Sequence, residues 1–431
     1  MDNPILLYNG HIIEPSQGID SEGSILIEKG RIAEIYKKKI KRPTSKEITI
    51  IDVTGCFVIP GLIDMHTHLR EPGHEHKETI HTGTRAGIHG GFTSLCCMPN
   101  TFPINDNATV TSFIIRKAYQ EGFCKVYPIG AITKGQQGIE LAEMGLMHEA
   151  GAVAFSDDGR PVMNSLVMRR ALEYSKILNC PIISHSEDIA LSANGLMNEG
   201  ILSYSLGLEG IPRESEEIMV ARDISLARLT KGRLHIAHVS TRQAVDIIRR
   251  AKAEGVCVTA ETCPHYFTLT EDAIKDYDTN AKVNPPLRTL EDVYAIKEGL
   301  RDGTIDVIAT DHAPHHKDEK LLEFDKSPFG ISGLETALSL ALNLVDEAVL
   351  SMSDLVLKMS KNPASILGLT GGSLKVGSDA DITVIDTEKE FLVSEETIYS
   401  KGKNTPFLGQ TLKGKVVFTI AKGKAYQHGS I

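Results

Sequence analysis

The chain has 431 residues, 41% of them hydrophobic and 24% charged, and a formal net charge of −10. Such a length accommodates one large domain and one small one. An acidic balance with scattered basic residues argues against a nucleic-acid surface, and no apolar run approaches the roughly 18 residues of a membrane span. The opening Met-Asp-Asn-Pro has neither a charged n-region nor an apolar h-region, so no secretory signal is expected. The seven cysteines (Cys56, Cys96, Cys97, Cys124, Cys180, Cys257 and Cys263) include no Cys-x-x-Cys pair and mostly lie in apolar runs. They read as reduced, buried thiols of a cytoplasmic protein rather than as a zinc–thiolate site.

Residues 1–56 are expected to form short strands. Ile5–Tyr8, Ser24–Glu28 and Ile48–Ile51 carry the β-branched signal, with Asn9-Gly10 and Lys29-Gly30 as turns. The C-terminal end mirrors them, with strands at Asp381–Asp386 and Lys415–Ile420 and breaks at Gly377 and Gly414. Both ends are β and the middle is not. This predicts one small composite β domain from residues 1–56 and 371–431, set against a second domain at 57–370.

The middle alternates strand and helix. Strands are expected at Val58–Asp64, Thr93–Met98, Lys125–Gly130, Ala152–Phe155, Pro181–Ser184, Leu234–Ala237, Val256–Ala260 and Ile305–Ala309. Helical periodicity fills the intervals, as in Ser165–Leu178, Glu214–Leu229, Thr241–Ala253 and Glu291–Arg301. This order favours a parallel sheet. Eight repeats over roughly 300 residues favour an α/β fold of the (β/α)8 TIM-barrel class, with its active site at the C-terminal ends of the strands. A doubly wound open sheet is the alternative, but neither a Gly-x-Gly-x-x-Gly fingerprint nor a P-loop is present to support a nucleotide fold.

The strand ends carry the chemistry. Strand one runs into His66-Thr-His68, and residues two apart in a strand share a face. Two imidazoles there can hold a metal ion or merely cap the strand; the later strand ends decide between these. Strand four ends in Asp157-Asp158-Gly159, strand five in His185-Ser-Glu187, strand six in His238, and strand eight in Asp311-His312-Ala-Pro-His315. Imidazoles with carboxylates suit zinc, and a carboxylate can bridge two ions. Two metals held about 3.5–4 Å apart can activate water and polarise a carbonyl, and a further carboxylate must move the proton. Asp311 suits that role. His235 lies within strand six and is expected to face the helices. His265 is open between a catalytic and a structural role, and His74, His76, His81 and His89 read as surface or supporting residues. The charged segment from His315 to Lys320 reads as a lid or as a solvated loop.

These motifs together resemble the amidohydrolase superfamily and, within it, the class I bacterial dihydroorotases. The resemblance rests on Asp64-Met-His-Thr-His-Leu-Arg-Glu71, Met98-Pro-Asn-Thr101, Asp157-Asp158-Gly159, His185-Ser-Glu187, His238-Val-Ser240, Asn284-Pro-Pro-Leu-Arg288 and Ala309-Thr-Asp-His-Ala-Pro-His315, and it covers nearly the whole chain. It implies one or two Zn2+ ions per subunit, with His66, His68 and Asp311 holding one, His185 and His238 the other, and Asp158 with a hydroxide bridging them. Many relatives bridge with a carboxylated lysine, but the nearest lysines to the end of strand four are Lys134 and Lys176; an aspartate bridge matches class I. Arg70 and Asn100, with His315, would grip a substrate carboxylate, a task that suits a planar guanidinium. Arg70 could instead form a salt bridge at the barrel mouth. Asn284 would bond a pyrimidine ring, or else serve as a turn residue before Pro285. Backbone groups at Phe329 and Gly330 would meet the ring amides.

The implied reaction is the reversible interconversion of dihydroorotate and N-carbamoyl-aspartate in pyrimidine (UMP) synthesis. The hydroxide attacks the ring amide, and Asp311 serves as general base and then general acid. The resemblance also implies a homodimer and a possible association with aspartate carbamoyltransferase. The rivals are an allantoinase or dihydropyrimidinase, against which Arg70, Asn100, Asn284 and Asp158 speak, and a non-catalytic scaffold, against which the filled ligand positions speak.

Overall fold

Runs rich in β-branched and small apolar residues, apolar on both faces, make strands that must be covered on both sides. In the computed structural model, which describes residues 3–43 and 47–428, eight of them form a parallel barrel in chain order. They are Leu62–Thr67, Phe92–Cys97, Lys125–Gly130, Ala154–Ser156, Ile182–Ser184, Leu234–Ile236, Val258–Thr262 and Val307–Ile308, called strands one to eight below. The ring closes where His68 N–H donates to the His312 carbonyl at 2.8 Å and where the Asp64 carboxylate receives the Thr310 N–H and hydroxyl. Met65, Cys96, Ile129, Ala154, Ile183, Ala237 and Val307 fill the inside, and Ile366 and Leu367 join the same cluster. The outward residues, such as Leu95, Phe155, Ile182, Ile236 and Ala260, meet the helices. Helices Ser165–Leu178, Glu214–Thr230, Arg242–Ala253 and Leu290–Arg301 stand where the periodicity puts them. Asn164 and Thr241 cap two of them with their side chains.

The second sheet joins both ends of the chain. Its order is Lys424–Gln427, Thr411–Ala421, Ile382–Leu392, Phe57–Pro60, Ile5–Glu14, Ile19–Glu28 and Arg31–Tyr36, with Thr49–Asp52 also paired to Ile5–Glu14. Residues 1, 2, 44–46 and 429–431 of the expected composite domain lie outside the described residues. The single strand expected at Val58–Asp64 is two. Phe57–Pro60 pairs antiparallel with Ile382–Leu392 in the terminal sheet, and the barrel strand begins at Leu62. The break is Gly61, where a Cβ would stand 2.3 Å from the Thr93 side chain. A continuous apolar run cannot reveal a change of sheet.

Two local irregularities aim the site. Strand one carries a bulge against strand two: Asp64 pairs with Leu95 and Thr67 with Cys97, so three steps on one strand answer two on the other. The extra residue lets Met65 join the inner cluster while His66 and His68 still turn to the barrel mouth. The second is backbone strain. Arg70 (φ 62°), His238 (φ 36°) and Asp311 (φ 47°) are non-glycine residues in the left-handed region. Such conformations cost on the order of 1–3 kcal/mol each and collect at functional sites.

Candidate active site

At the C-terminal mouth, the Asp158 carboxylate stands among four imidazoles. Its oxygens lie 3.3 Å from His66 Nε2, 3.4 Å from His68 Nε2, and 3.5 Å from both His185 Nδ1 and His238 Nε2. Asp311 Oδ1 lies 3.1 Å from His68 Nε2 and 3.3 Å from His66 Nε2. The groups His66–His68–Asp158 and Asp158–His185–His238 each bring their ligand atoms within 4.8 Å of one another, and they share Asp158. Asp157 faces away. Its carboxylate accepts the N–H groups of Ile132 and Thr133 and the Thr133 hydroxyl. Of the two aspartates, therefore, only Asp158 enters the cluster.

The outer nitrogens of the imidazoles fix which inner ones are free. His66 Nδ1–H donates to Glu261 Oε1 at 2.5 Å, His68 Nδ1–H to Asn100 Oδ1 at 2.8 Å, and His185 Nε2–H to Glu187 Oε2 at 2.9 Å. Each ring thereby turns its other nitrogen inward, with His185 Nδ1 2.8 Å from His238 Nε2, and such a nitrogen ligates a metal once its proton is lost. His66 Nε2 and Asp158 Oδ1 are buried without a hydrogen-bond partner. An unpartnered imidazole nitrogen beside an unpartnered carboxylate oxygen fits a divalent cation.

Charge tells the same story. Burial pushes the Asp158 carboxyl up, but His66 and the contacts from His185 and His238 outweigh it and hold the group well below the usual carboxylate range. Burial disfavours charge on His66, yet Asp158, Asp311 and Glu261 together carry its affinity for a proton well above the ordinary value. His185 rises to about 10 because Asp158 and Glu187 overcome its burial. The cluster draws in positive charge.

His235 corrects the sequence reading. It does not face the helices. It pairs with Ile183, a residue of the inner cluster, and its Nε2 lies 3.2 Å from Glu261 Oε2. Counting alternation back from His238 fails because the positive φ of His238 breaks the parity. Glu261 therefore sits under the site between His66 and His235. His265 is buried and uncharged, its affinity for a proton lowered to about 4 by burial.

Above the floor is a cavity of about 220 Å³, lined by His68, Arg70, Asn100, Asn284, His315, Phe329 and Gly330 together with the cluster. Arg70 is half-buried and, among the described residues, pairs with no carboxylate; its Nε–H donates to the Pro314 carbonyl at 3.2 Å. This disposes of the salt-bridge alternative. Asn100 gives its Oδ1 to His68, which leaves its N–H groups for the cavity. Asn284 spends an N–H on Glu187 at 3.1 Å. His315 donates Nε2–H to the Phe329 carbonyl at 2.8 Å and receives Lys77 Nζ on Nδ1 at 3.2 Å. The Gly330 N–H, expected to meet a substrate amide, donates instead to the Lys282 carbonyl at 2.9 Å.

A family model described as Dihydro-orotase-like matches residues 55–244. A dihydroorotase from Geobacter metallireducens is 57% identical over 420 residues, covering 97% of this chain and 98% of that protein. One from Syntrophus aciditrophicus is 54% identical with the same coverage. This chain belongs to the dihydroorotase family. It is a cyclic amide hydrolase, as the family is. Among solved structures, the L-hydantoinase (dihydropyrimidinase) of Arthrobacter aurescens has a TM-score of 0.87 at 26% identity, covering 100% of this chain and 97% of that one. The dihydropyrimidinase of Brevibacillus agri NCHU1002 has a TM-score of 0.83 at 23% identity, covering 98% and 94%, and supports the fold. No helix among the described residues is long and apolar enough to cross a membrane.

Within this dihydroorotase fold several residues act that no local motif announces. The positive φ at Asp311 is held by its neighbour His312, which pairs with Thr67 of strand one and with Ile331. His312 Nδ1 accepts the Gly333 N–H, and its Nε2 faces buried Glu78 at 3.5 Å. Asn404, from the C-terminal portion, receives the His315 N–H on Oδ1 at 2.9 Å and donates Nδ2–H to the Ala313 and Gly330 carbonyls. The segment from His315 to Lys320 is tied down at one end, since Lys320 is buried with Nζ on the Pro328 carbonyl at 2.8 Å.

Proposed function

We propose that the chain is a class I dihydroorotase that interconverts dihydroorotate and N-carbamoyl-L-aspartate in the cytoplasmic synthesis of pyrimidines. The observation that carries this reading is the half-buried Arg70 guanidinium, which among the described residues has no carboxylate in contact and faces the same cavity as the Asp158 cluster. A cation partly withdrawn from water without a partner is poorly satisfied, and a substrate carboxylate would supply the counter-charge in a planar, bidentate fit. The N–H groups of Asn100 would add to that grip. An allantoinase or dihydropyrimidinase reading gives Arg70 no such partner.

His66, His68 and Asp311 would hold one zinc ion, His185 and His238 a second, with Asp158 shared between them. Zinc bound there would supply Lewis-acid polarisation of the scissile carbonyl and acidify a water. The remaining work falls to the chain. Arg70 and Asn100 orient the ring by its carboxylate, and Asn284, steadied by Glu187, borders the ring. In hydrolysis, Asp311 takes a proton from the attacking water and returns it to the departing ring nitrogen. In ring closure the same carboxylate works in reverse, taking the proton of the attacking ureido nitrogen and passing it to the departing oxygen, and closure of the N-carbamoyl-aspartate dianion consumes one proton overall. Synthesis is therefore expected to prefer lower pH than hydrolysis. The strained backbone at Asp311 fixes its carboxylate before substrate arrives, so little reorganisation is left for the reaction.

The test is hydrolysis of dihydroorotate by purified protein before chelation, after it, and after zinc is restored, with bound metal measured on the same sample. Activity should vanish and return. Fully metallated protein that turns over allantoin or dihydrouracil but not dihydroorotate would overturn the reading.

A further inference from the structure

Two lysines stand behind the cavity with no acid in contact; Asp325 acts on Lys282, and Asp278 and Glu319 on Lys320, only from a distance. Lys282 is 1% exposed and Lys320 7%, and among the described residues neither forms an ion pair. Their ammonium groups turn to the main chain of one segment. Lys282 Nζ donates to the carbonyls of Phe324 at 2.5 Å and Ser327 at 2.7 Å. Lys320 Nζ donates to those of Pro328 at 2.8 Å and Gly330 at 3.3 Å. Lys282 Nζ also lies over the rings of Phe324 and Phe329, 5.1 and 4.7 Å from their centroids, a favourable place for a cation. The main chain of Lys282 completes the tie by accepting the Gly330 N–H.

The segment so held is a wall of the cavity, which Phe329 and Gly330 line together with Val283 and Asn284, the neighbours of Lys282. The wall has no slack. A Cβ at Gly330 would stand 2.6 Å from the Ala313 carbonyl oxygen and 2.9 Å from His315 Nε2. Carbonyl dipoles and ring faces offset part of the desolvation of two ammonium groups, but they bring no negative charge. Burial draws the proton affinity of Lys282 down to about 8 and that of Lys320 to about 7, the latter also repelled by Lys282. Beside the same wall, Arg70 Nη2 lies 3.4 Å from Nε2 of His315, the ring that donates to the Phe329 carbonyl, and Arg70 likewise has no carboxylate in contact among the described residues. Positive charges buried around a small, low-dielectric cavity focus their field into it.

We propose that Lys282 and Lys320 are specificity-determining residues that hold the Phe329–Gly330 wall and supply positive charge with no acid in contact, so that the cavity selects an anionic cyclic amide over a neutral one of the same ring. The proposal deepens the dihydroorotase reading and rests on a substrate that bears a carboxylate. A contact clamp alone reads the carboxylate where it sits. A field from behind the wall favours a charged substrate and leaves a neutral one of the same shape unaided.

The experiment compares orotate with uracil, the same planar ring with and without a carboxylate, by calorimetric binding to the zinc-loaded protein. In Lys320→Met and Lys282→Met, orotate should bind about tenfold more weakly while uracil stays within about twofold, with metal content unchanged. Lys320→Arg, which keeps the charge, should restore orotate binding. If the Met variants do not fold, Lys320→Gln keeps a donor for the Pro328 carbonyl without the charge and carries the same expectation. Equal weakening of both ligands would mean the lysines merely support the wall, and unchanged orotate binding would leave them no part in selection; either overturns the proposal. Turnover of dihydroorotate by the unaltered protein is assayed alongside. Its absence would refute the dihydroorotase reading, while the binding ratios still judge the lysines.

Discussion

The floor and the wall of the cavity are stabilised by opposite means. On the floor every imidazole but one is matched to a carboxylate or an amide oxygen, as in His66 with Glu261 and His185 with Glu187. There the negative groups exceed what the protein neutralises, so the floor attracts a cation. In the wall, half-buried Arg70 and buried Lys282 and Lys320 donate to carbonyls, so the wall attracts an anion. The sign of the unanswered charge distinguishes the proposed metal site from the proposed carboxylate site.

The largest effect should come from the floor. Asp311→Asn should fold normally by circular dichroism and melting yet lose turnover by on the order of 10³-fold, in the range of a lost acid–base group that also touches metal. A variant with near-normal kcat would remove Asp311 as the proton carrier. Next is Glu261→Gln, which keeps the shape of the side chain but weakens its hold on His66 Nδ1. Metal affinity, read by chelator competition, should fall roughly 10–100-fold while orotate binding to the reloaded protein stays near normal. Unchanged metal affinity would reduce Glu261 to a buried partner of His235. From the wall, Arg70→Lys should raise the KM for dihydroorotate roughly tenfold with a smaller loss in kcat, because a lysine keeps the charge but not the planar fork. Equal losses in both would mean that Arg70 serves the reacting centre rather than the carboxylate.

The smallest effect lies outside both regions and separates acid loss of stability from acid loss of activity. His89 stacks on Tyr399 with centroids 3.4 Å apart and lies 4.3 Å from His428. Burial lowers His89 from its ordinary 6.5 to about 4 and His428 to about 3. Above pH 6.5 both are neutral, folded or unfolded. Between 6.5 and 4 the unfolded chain takes up protons that the folded chain refuses, so stability falls as pH falls through that window. His89→Phe should flatten the decline, seen as roughly a few degrees less loss in Tm across it. An unchanged slope would shift the acid sensitivity to the imidazoles of the floor.

The outline of the barrel was legible because it is written locally. Each strand is a short apolar run, each helix repeats at its own period, and His66-Thr-His68 shows its shared face by spacing alone. Lys125–Gly130 and Ser165–Leu178 run between the same residues in sequence and structure. What was not legible depends on distance or on a broken period. Gly61 changes sheets inside an unbroken apolar run. His238 reverses the parity by which His235 is judged. Glu261 meets His66 across 195 residues, and no periodicity connects them. The roles expected at Gly330, Asn284 and His315 place these residues at the cavity correctly, but their hydrogen bonds are already committed to Lys282, Glu187, Phe329 and Lys77. Partner choice of that kind is settled by packing between loops, which a single sequence does not display.

Asn404 ties the C-terminal portion to the cavity through His315, Ala313 and Gly330. During synthesis on the ribosome, the last barrel strand is complete at Ile308, long before Asn404 emerges. At typical elongation rates the nascent barrel would wait on the order of five to twenty seconds with its wall unanchored. The clustered residues of the floor, His66 to Asp311, all precede Asn404 in the chain, whereas the tie that holds the wall waits for it. A nascent chain should therefore acquire metal before it acquires substrate, and ribosome-stalled chains that end short of Asn404 should bind zinc yet show no preference for orotate.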